Sequence, residues 1–383
     1  MRKVTWILLS VLLIATVLLS ACAAPAATPV PAAAPTDTPA PTTAPTSQPT
    51  ATARAWKACF LYGSVIGDAG WTYAQDQGRK FVEKKYGIQT IFAENVPSGA
   101  DAERMLAQFA EQGCNQIITT TNLHSKAVDT VAPKYPNVIF EAYDALNIYP
   151  NLRSHRLRLY EGYYLAGILA GKMTKNGQAG WVAGFAAPSF PSQANSMLLG
   201  ARSVNPDFKL SIVFMNTWGD PPREKQAAES LIAAGSQFLT NSMSSPTVIQ
   251  AAETAGVYSL GRTEQCSFGP KYCLASVVVN WKQIYDKLIS SAMNGTWSNK
   301  EVYWATAGLG EIGLAELHSS VPADVKAQLD QTAEQLKSGE LVLWKGPIKD
   351  QTGAVKVPEG KTLAPAELVL IDWFVEGVQT PAK

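Results

Sequence analysis

The sequence predicts an α/β fold of two Rossmann-like lobes joined by three hinge crossings. Three observations carry that reading. From residue 60 onwards, apolar runs of strand length alternate with longer amphipathic stretches, the pattern of a parallel sheet with right-handed crossovers. The alternation pauses near residue 142 and restarts near residue 180, so it describes two sheets rather than one. About 330 of the 383 residues lie beyond the N-terminal segment, too many for one small core.

In the first lobe, residues 60–62 read as a buried strand. A loop punctuated by Gly63, Gly67 and Gly70 follows, then a helix over 72–85. Strands are expected at 89–94, 115–121 and 138–142, with helices at 99–112 and 125–134 between them. Residues 154–159 alternate as a strand that crosses between lobes. The second lobe begins with a helix over 161–173, in which Gly162, Gly167 and Gly171 permit close packing. Strands at 180–185, 209–216, 237–241 and 257–260 then alternate with helices at 192–204, 223–234 and 246–255. The buried run 274–280 could return to the first lobe, where 281–293 packs as a helix. Residues 301–305 cross back, and 322–337 form a capped amphipathic helix. The expected division is 56–158 plus 281–305 for one lobe and 159–280 plus 306–383 for the other.

Ahead of the folded part, Met1-Arg-Lys3 is basic and residues 4–19 are apolar, about the lower limit for crossing a bilayer. Small residues follow, which marks a secretory signal. Leu19-Ser-Ala-Cys22 also has the pattern of a bacterial lipobox, so Cys22 is the expected lipidated residue and 1–22 the signal and anchor. Residues 23–55, nearly all Ala, Pro, Thr and Ser, cannot bury a core and read as a disordered tether. If extended at about 3 Å per residue it reaches roughly 100 Å.

Charge is balanced, with 32 basic and 31 acidic residues and no basic stripe, which argues against a nucleic-acid partner. No second apolar run is long enough for a membrane span. Four cysteines remain after Cys22. Cys266 and Cys273 flank a Gly269-Pro270 turn, while Cys59 and Cys114 open strands that would be neighbours, so disulfides are expected, with buried free thiols as the alternative. His124, His155 and His318 lack metal-ligand spacing, and no metal or cofactor is expected. Gly308-Leu-Gly-Glu-Ile-Gly313 fits a dinucleotide fingerprint but is read as a flexible crossing segment.

A glycine loop between a strand and a helix sits at the carboxyl end of a sheet, where open α/β folds bind ligands. Asp68 adds an acceptor and Trp71 a flat face, which suits a planar, hydrogen-bonding molecule. The larger pattern resembles the type I periplasmic binding protein architecture. The chain is similar to the basic membrane protein family of ABC-transporter solute-binding lipoproteins, which includes purine nucleoside receptors. The residues that carry the resemblance are Gly67-Asp-Ala-Gly-Trp-Thr-Tyr73, Lys134-Tyr-Pro-Asn-Val-Ile-Phe140, Tyr160-Glu-Gly-Tyr-Tyr-Leu-Ala-Gly-Ile-Leu-Ala-Gly171, Gly200-Ala-Arg-Ser-Val-Asn-Pro206 and Asn216-Thr-Trp-Gly-Asp220.

The resemblance implies a purine held between two aromatics, one per lobe, at Trp71 and Trp218, with Asp68 and Asp220 nearby. Thr72, Thr121, Asn122, Glu161 and Asn195 complete the expected contact set. Nucleoside-binding members tend to carry an acidic residue and a lysine for ribose. Here Thr263 and Val279 stand at those places, which favours a free base such as adenine. The implied function is capture of a purine outside the cell by a monomer that delivers it to a permease and ATPase. A nucleoside-binding member, a ligand sensor docking to a receptor and a surface nucleosidase are the alternatives; the last would need a general acid or metal-bound water beside the sugar.

Overall fold

A computed structural model describes residues 56–380, leaving out Ala69, Pro188 and Glu316. The signal segment, Cys22 and the tether lie outside the described residues. The first alternation gives β1 (Lys57–Leu61), α1 (Trp71–Tyr86), β2 (Gln89–Ala93), α2 (Ala100–Glu111), β3 (Gln116–Thr119), α3 (Ser125–Val131), β4 (Ile139–Tyr143) and β5 (Leu152–Leu157). The second gives α4 (Leu159–Met173), β6 (Gln178–Ala183), α5 (Phe190–Arg202), β7 (Lys209–Phe214), α6 (Pro221–Ala233), β8 (Phe238–Asn241), α7 (Thr247–Ala255), β9 (Tyr258–Arg262) and β10 (Cys273–Val279). The remainder holds α8 (Trp281–Met293), β11 (Tyr303–Ala305), β12 (Ile312–Leu314), α9 (Ala323–Ser338), β13 (Ile348–Lys349), β14 (Val355–Val357), α10 (Pro365–Leu368) and β15 (Val378–Gln379).

One sheet runs β11-β5-β4-β3-β1-β2 and the other β12-β10-β9-β8-β6-β7-β15. Within these two sheets all pairs among the described residues are parallel except β10 with β12, as expected of strands linked through helices, and β13 and β14 form a separate antiparallel pair. The chain passes between sheets after β5, after β10 and after β11. The run 274–280 therefore does not return to the first sheet. It is β10, registered with β9 from Cys273 opposite Ser259 to Val277 opposite Arg262, and its Leu274, Ala275 and Val277 are buried. The crossing falls at Asn280, whose side chain accepts from the Gln283 N–H and so starts α8. Strands β5 and β11 likewise stay with the first sheet, paired to one another.

Helix α4 is buried on nearly every face. Small residues make this possible. A Cβ on Gly167 would lie 2.0 Å from the Met197 carbonyl oxygen, so α4 and α5 meet backbone to backbone. The C-terminal segment wraps the second sheet: β15 pairs with β7, and buried Trp344 donates its indole N–H to Ser196 Oγ at 3.1 Å. Disulfides join Cys59 of β1 to Cys114, two residues ahead of the neighbouring β3, and Cys266 to Cys273 across the β9–β10 turn. The glycine fingerprint at 308–313 runs from β11 into β12. Its Glu311 is buried and bonded to Lys287 Nζ and the Tyr303 hydroxyl, a structured crossing rather than a phosphate loop. Among the described residues no helix is long and apolar enough to cross a membrane.

Candidate functional site

Loops that leave the carboxyl ends of β1, β3, β6, β7, β8 and β9 converge on one cavity of about 820 Å³. Both sheets thus contribute at the edge where parallel strands leave backbone and loop groups for a ligand. The volume lies within the usual range for small-molecule sites, roughly 300–1,000 Å³.

Trp71 is the first residue of α1 and lines the cavity. Its indole N–H donates to the Thr120 carbonyl at 2.9 Å. Tyr143 and Trp281 meet it edge-on, with ring centroids 5.4 and 5.3 Å away. These contacts fix the ring's orientation in advance. From the second sheet, the Arg262 guanidinium carbon lies 5.2 Å from the indole centroid, a cation–π contact. Trp218 borders the same cavity from the loop after β7. It sits edge-on to Phe185 at 5.1 Å, and its carbonyl accepts from the Ser244 N–H at 2.7 Å, tying the β7 and β8 loops together. A Cβ on Gly184 would fall 2.4 Å from Trp218 Cε3, so the indole rests where a side chain is missing.

The two aspartates beside these tryptophans do parallel work. Asp68 accepts from the Gly70, Thr72 and Tyr73 N–H groups at 2.9–3.0 Å, satisfying the open start of α1. Asp220 accepts from the Arg223 N–H at 3.2 Å and caps α6. Each carboxylate fixes the loop that carries its tryptophan.

Of the residues expected from sequence, Asp68, Trp71, Thr72, Thr121, Asn122 and Trp218 line the cavity. Glu161, Asn195 and Asp220 do not. Glu161 lies at the crossing, where its Oε2 accepts from the Ala307 N–H at 2.7 Å and Arg158 stands 3.5 Å from Oε1. Burial raises its pKa, against that N–H and Arg158. Asn195 donates to the Trp373 carbonyl and accepts from the Val375 N–H, pinning the C-terminal segment to α5. Thr263 and Val279 also lie outside the lining, and the cavity instead receives their neighbour Arg262.

Sequence reasoning missed Arg262, Tyr143, Phe185, Gln193, Ser244 and Phe268, all of which line the cavity. Their common signal was position, since most follow a strand end of the second sheet or, for Tyr143, close a strand of the first. Burial holds the Tyr143 phenol well above its usual pKa; nearby Asp144 adds to the rise and Arg262 opposes it. It therefore keeps its proton at neutral pH. Asp144 is itself pushed up to about 6 by burial, with Arg156 opposing. The lining combines aromatic faces, hydroxyls, amides and one cation, a set suited to holding a flat polar molecule by stacking and hydrogen bonds.

Comparison with known proteins places this geometry in a family. The sequence model of the family Bmp, described as ABC transporter substrate-binding protein PnrA-like, matches residues 55–342. The chain is 36% identical over 327 residues to a purine-binding protein of Brucella abortus (strain 2308), covering 84% of this chain and 92% of that one. It is 34% identical over 291 residues to a putative ABC transporter glucose-binding protein of Haloferax volcanii, covering 76% of this chain and 74% of that one. Among solved structures, an ABC transporter solute-binding protein from Conexibacter woesei superposes with a TM-score of 0.64 at 21% identity, over 75% of this chain and 98% of that one. A second, from Aeropyrum pernix, gives 0.66 at 19%, over 77% and 93%. The two structures establish the type I binding-protein fold. The chain belongs to the Bmp family and is an extracytoplasmic ABC transporter substrate-binding protein, whose partners are a small-molecule ligand, a permease and its ATPase.

Proposed function

We propose that this protein captures a purine, as the free base, between Trp71 and Trp218. The observation that carries the reading is that two indoles, one at the start of the helix after β1 of the first sheet and one on the loop after β7 of the second, border one cavity. Stacking on each face is worth roughly 1–3 kcal/mol. Asn122, Thr121 and Tyr143 supply hydrogen-bonding groups for ring nitrogens, and Asp68 and Thr72 hold the loop beneath them. Glu161, Asn195 and Asp220 position the crossing, the C-terminal segment and the α6 start. The 36% identity to a purine-binding protein supports the same cargo.

The expectation of a free base, adenine in the first instance, rests on Thr263 and Val279, which stand outside the lining and leave the implied ribose contacts unmade. In this reading 56–158 with 281–305 and 159–280 with 306–383 close on the base about the three crossings. A monomer tethered through lipidated Cys22 at the outer face of the membrane then presents the closed form to the permease. A sugar is the second reading, favoured by the 34% identity to a putative glucose-binding protein and by the serine hydroxyls of the β8 loop. A thermal-shift panel of adenine, hypoxanthine, adenosine, inosine and glucose separates the readings. Free bases raise Tm most if the proposal holds. A larger shift with nucleosides overturns the base assignment, and one with glucose alone overturns the purine. Loss of membrane association in Cys22→Ser tests the anchor; unchanged association contradicts it.

A further inference from the structure

Arg262 ends β9 and lines the cavity half-buried. Apart from Asp68, it is the charged side chain of that lining. Both Asp68 carboxylate oxygens are taken up by the N–H groups at the start of α1. Among the described residues, no carboxylate lies within ion-pair distance of the Arg262 guanidinium and none of the guanidinium N–H groups meets a protein acceptor; its contact is the Trp71 ring at 5.2 Å. Neighbouring phenols, Tyr143 and Tyr163, feel its charge. Its backbone is fixed independently, since the Arg262 N–H donates to Gln265 Oε1 at 3.1 Å and Gln265 is fully buried.

A guanidinium carries donors and no acceptor. Removing it from water without an acceptor is costly. Closure over a ligand would do that, so the ligand must bring acceptors. Among purines the choice is determined by position 6. A 6-oxopurine offers the adjacent acceptors O6 and N7, which a guanidinium meets with two parallel hydrogen bonds. Adenine offers N7 beside an amino donor, so one of the two bonds is replaced by a donor facing a donor.

Building on the purine reading above, but replacing adenine as its first expected base, we infer that Arg262 is a specificity-determining residue that selects 6-oxopurines, hypoxanthine or guanine, over adenine. The guanidinium lies over the Trp71 ring in the ligand-free protein, so ligand entry moves it from that ring to the edge of the base, which it reads while Trp71 supplies the face. The position sits in Leu260-Gly-Arg-Thr263, one residue from the place where the resemblance puts a ribose contact, so the strand end reads the base in place of the sugar.

The test is isothermal titration of the full chain with hypoxanthine and adenine, which differ at position 6 and at the N1 proton, for wild type, Arg262→Lys and Arg262→Leu. Hypoxanthine is expected to bind the wild type about tenfold or more tightly than adenine. Arg262→Leu is expected to abolish that ratio and Arg262→Lys to retain part of it. The ligand-free Tm of each variant reports folding, and the wild-type and Arg262→Lys ratios carry the test if Arg262→Leu does not fold. Adenine binding as tightly as hypoxanthine, or a preference that survives Arg262→Leu, overturns the selection and leaves the purine reading standing. Binding of neither base overturns both.

Discussion

Gly184→Ala separates the ligand face of Trp218 from its contribution to the fold. The added methyl would lie 2.4 Å from Trp218 Cε3, 2.6 Å from Cζ3 and 3.0 Å from the Thr217 carbonyl. Carbon atoms pack at about 3.5–4.0 Å, so the indole must retreat by roughly 1 Å or more. Trp218 is half-buried on a loop and can rotate away, so the cost in stability should stay near 1 kcal/mol, low in the overpacking range. The stacking face is lost nonetheless, and affinity for the base should fall by roughly 1–3 kcal/mol, about 5- to 150-fold in Kd. Titration calorimetry with a purine base, beside a ligand-free melt, reads both quantities. Trp218→Ala should match the loss of affinity. Unchanged affinity in Gly184→Ala, with Tm lowered, would refute the role of Trp218 as one wall of the site.

Three further outcomes follow from the geometry. Trp71→Phe keeps an aromatic face but loses the bond to the Thr120 carbonyl, so it should retain more affinity than Trp71→Ala, which should lose roughly 1–3 kcal/mol by calorimetry; equal losses would count against stacking. Buried His155 has its pKa lowered to about 3 by burial, with Arg153 adding to the shift, so the unfolded chain binds its proton first. Its stability contribution is whole above about pH 6.5 and is lost as pH falls towards 3, about 2 kcal/mol by pH 5, whereas Asp144, raised to about 6, has the opposite sign and loses stability as pH rises from about 4 to 6. In denaturant titrations from pH 4 to 7, Asp144→Asn should steepen the acid loss and His155→Asn should flatten it; profiles parallel to wild type would contradict the assignment. Removing the Cys59–Cys114 disulfide, which spans 55 residues, should cost about 4 kcal/mol, against about 2 for Cys266–Cys273, which spans 7, so urea midpoints should fall in that order.

The fold was legible in the sequence where local pattern and tertiary outcome agree. The apolar run ahead of Gly63, the helix after Gly70 and the small residues of α4 each announce their structure within a short window. The segment after α9 does not. Strands β13 and β15 are two residues long and exist through pairing with β14 and β7, and Trp344 is buried by a bond to Ser196 far back in the chain. The run 274–280 misled because a buried strand reads alike in either sheet, and pairing with β9 settles which one it joins. At the site, the tryptophans stood out because each follows a strand in a polar loop. Polar residues were harder to place. Asn195 and Glu161 read as ligand contacts, yet they satisfy backbone groups of distant segments, at Val375 and Ala307. Arg262 carries little sequence signal beside its neighbour Thr263, the position that the resemblance singles out. A cation directly after an apolar strand, at the edge where the second sheet's loops begin, was the available signal.

A crystal structure of the protein with a bound purine base tests the central claim most directly. The account predicts the ring lying between the Trp71 and Trp218 indoles, with an edge towards Arg262. A base seated elsewhere, or a cavity in which either indole turns away from the ring, would contradict it.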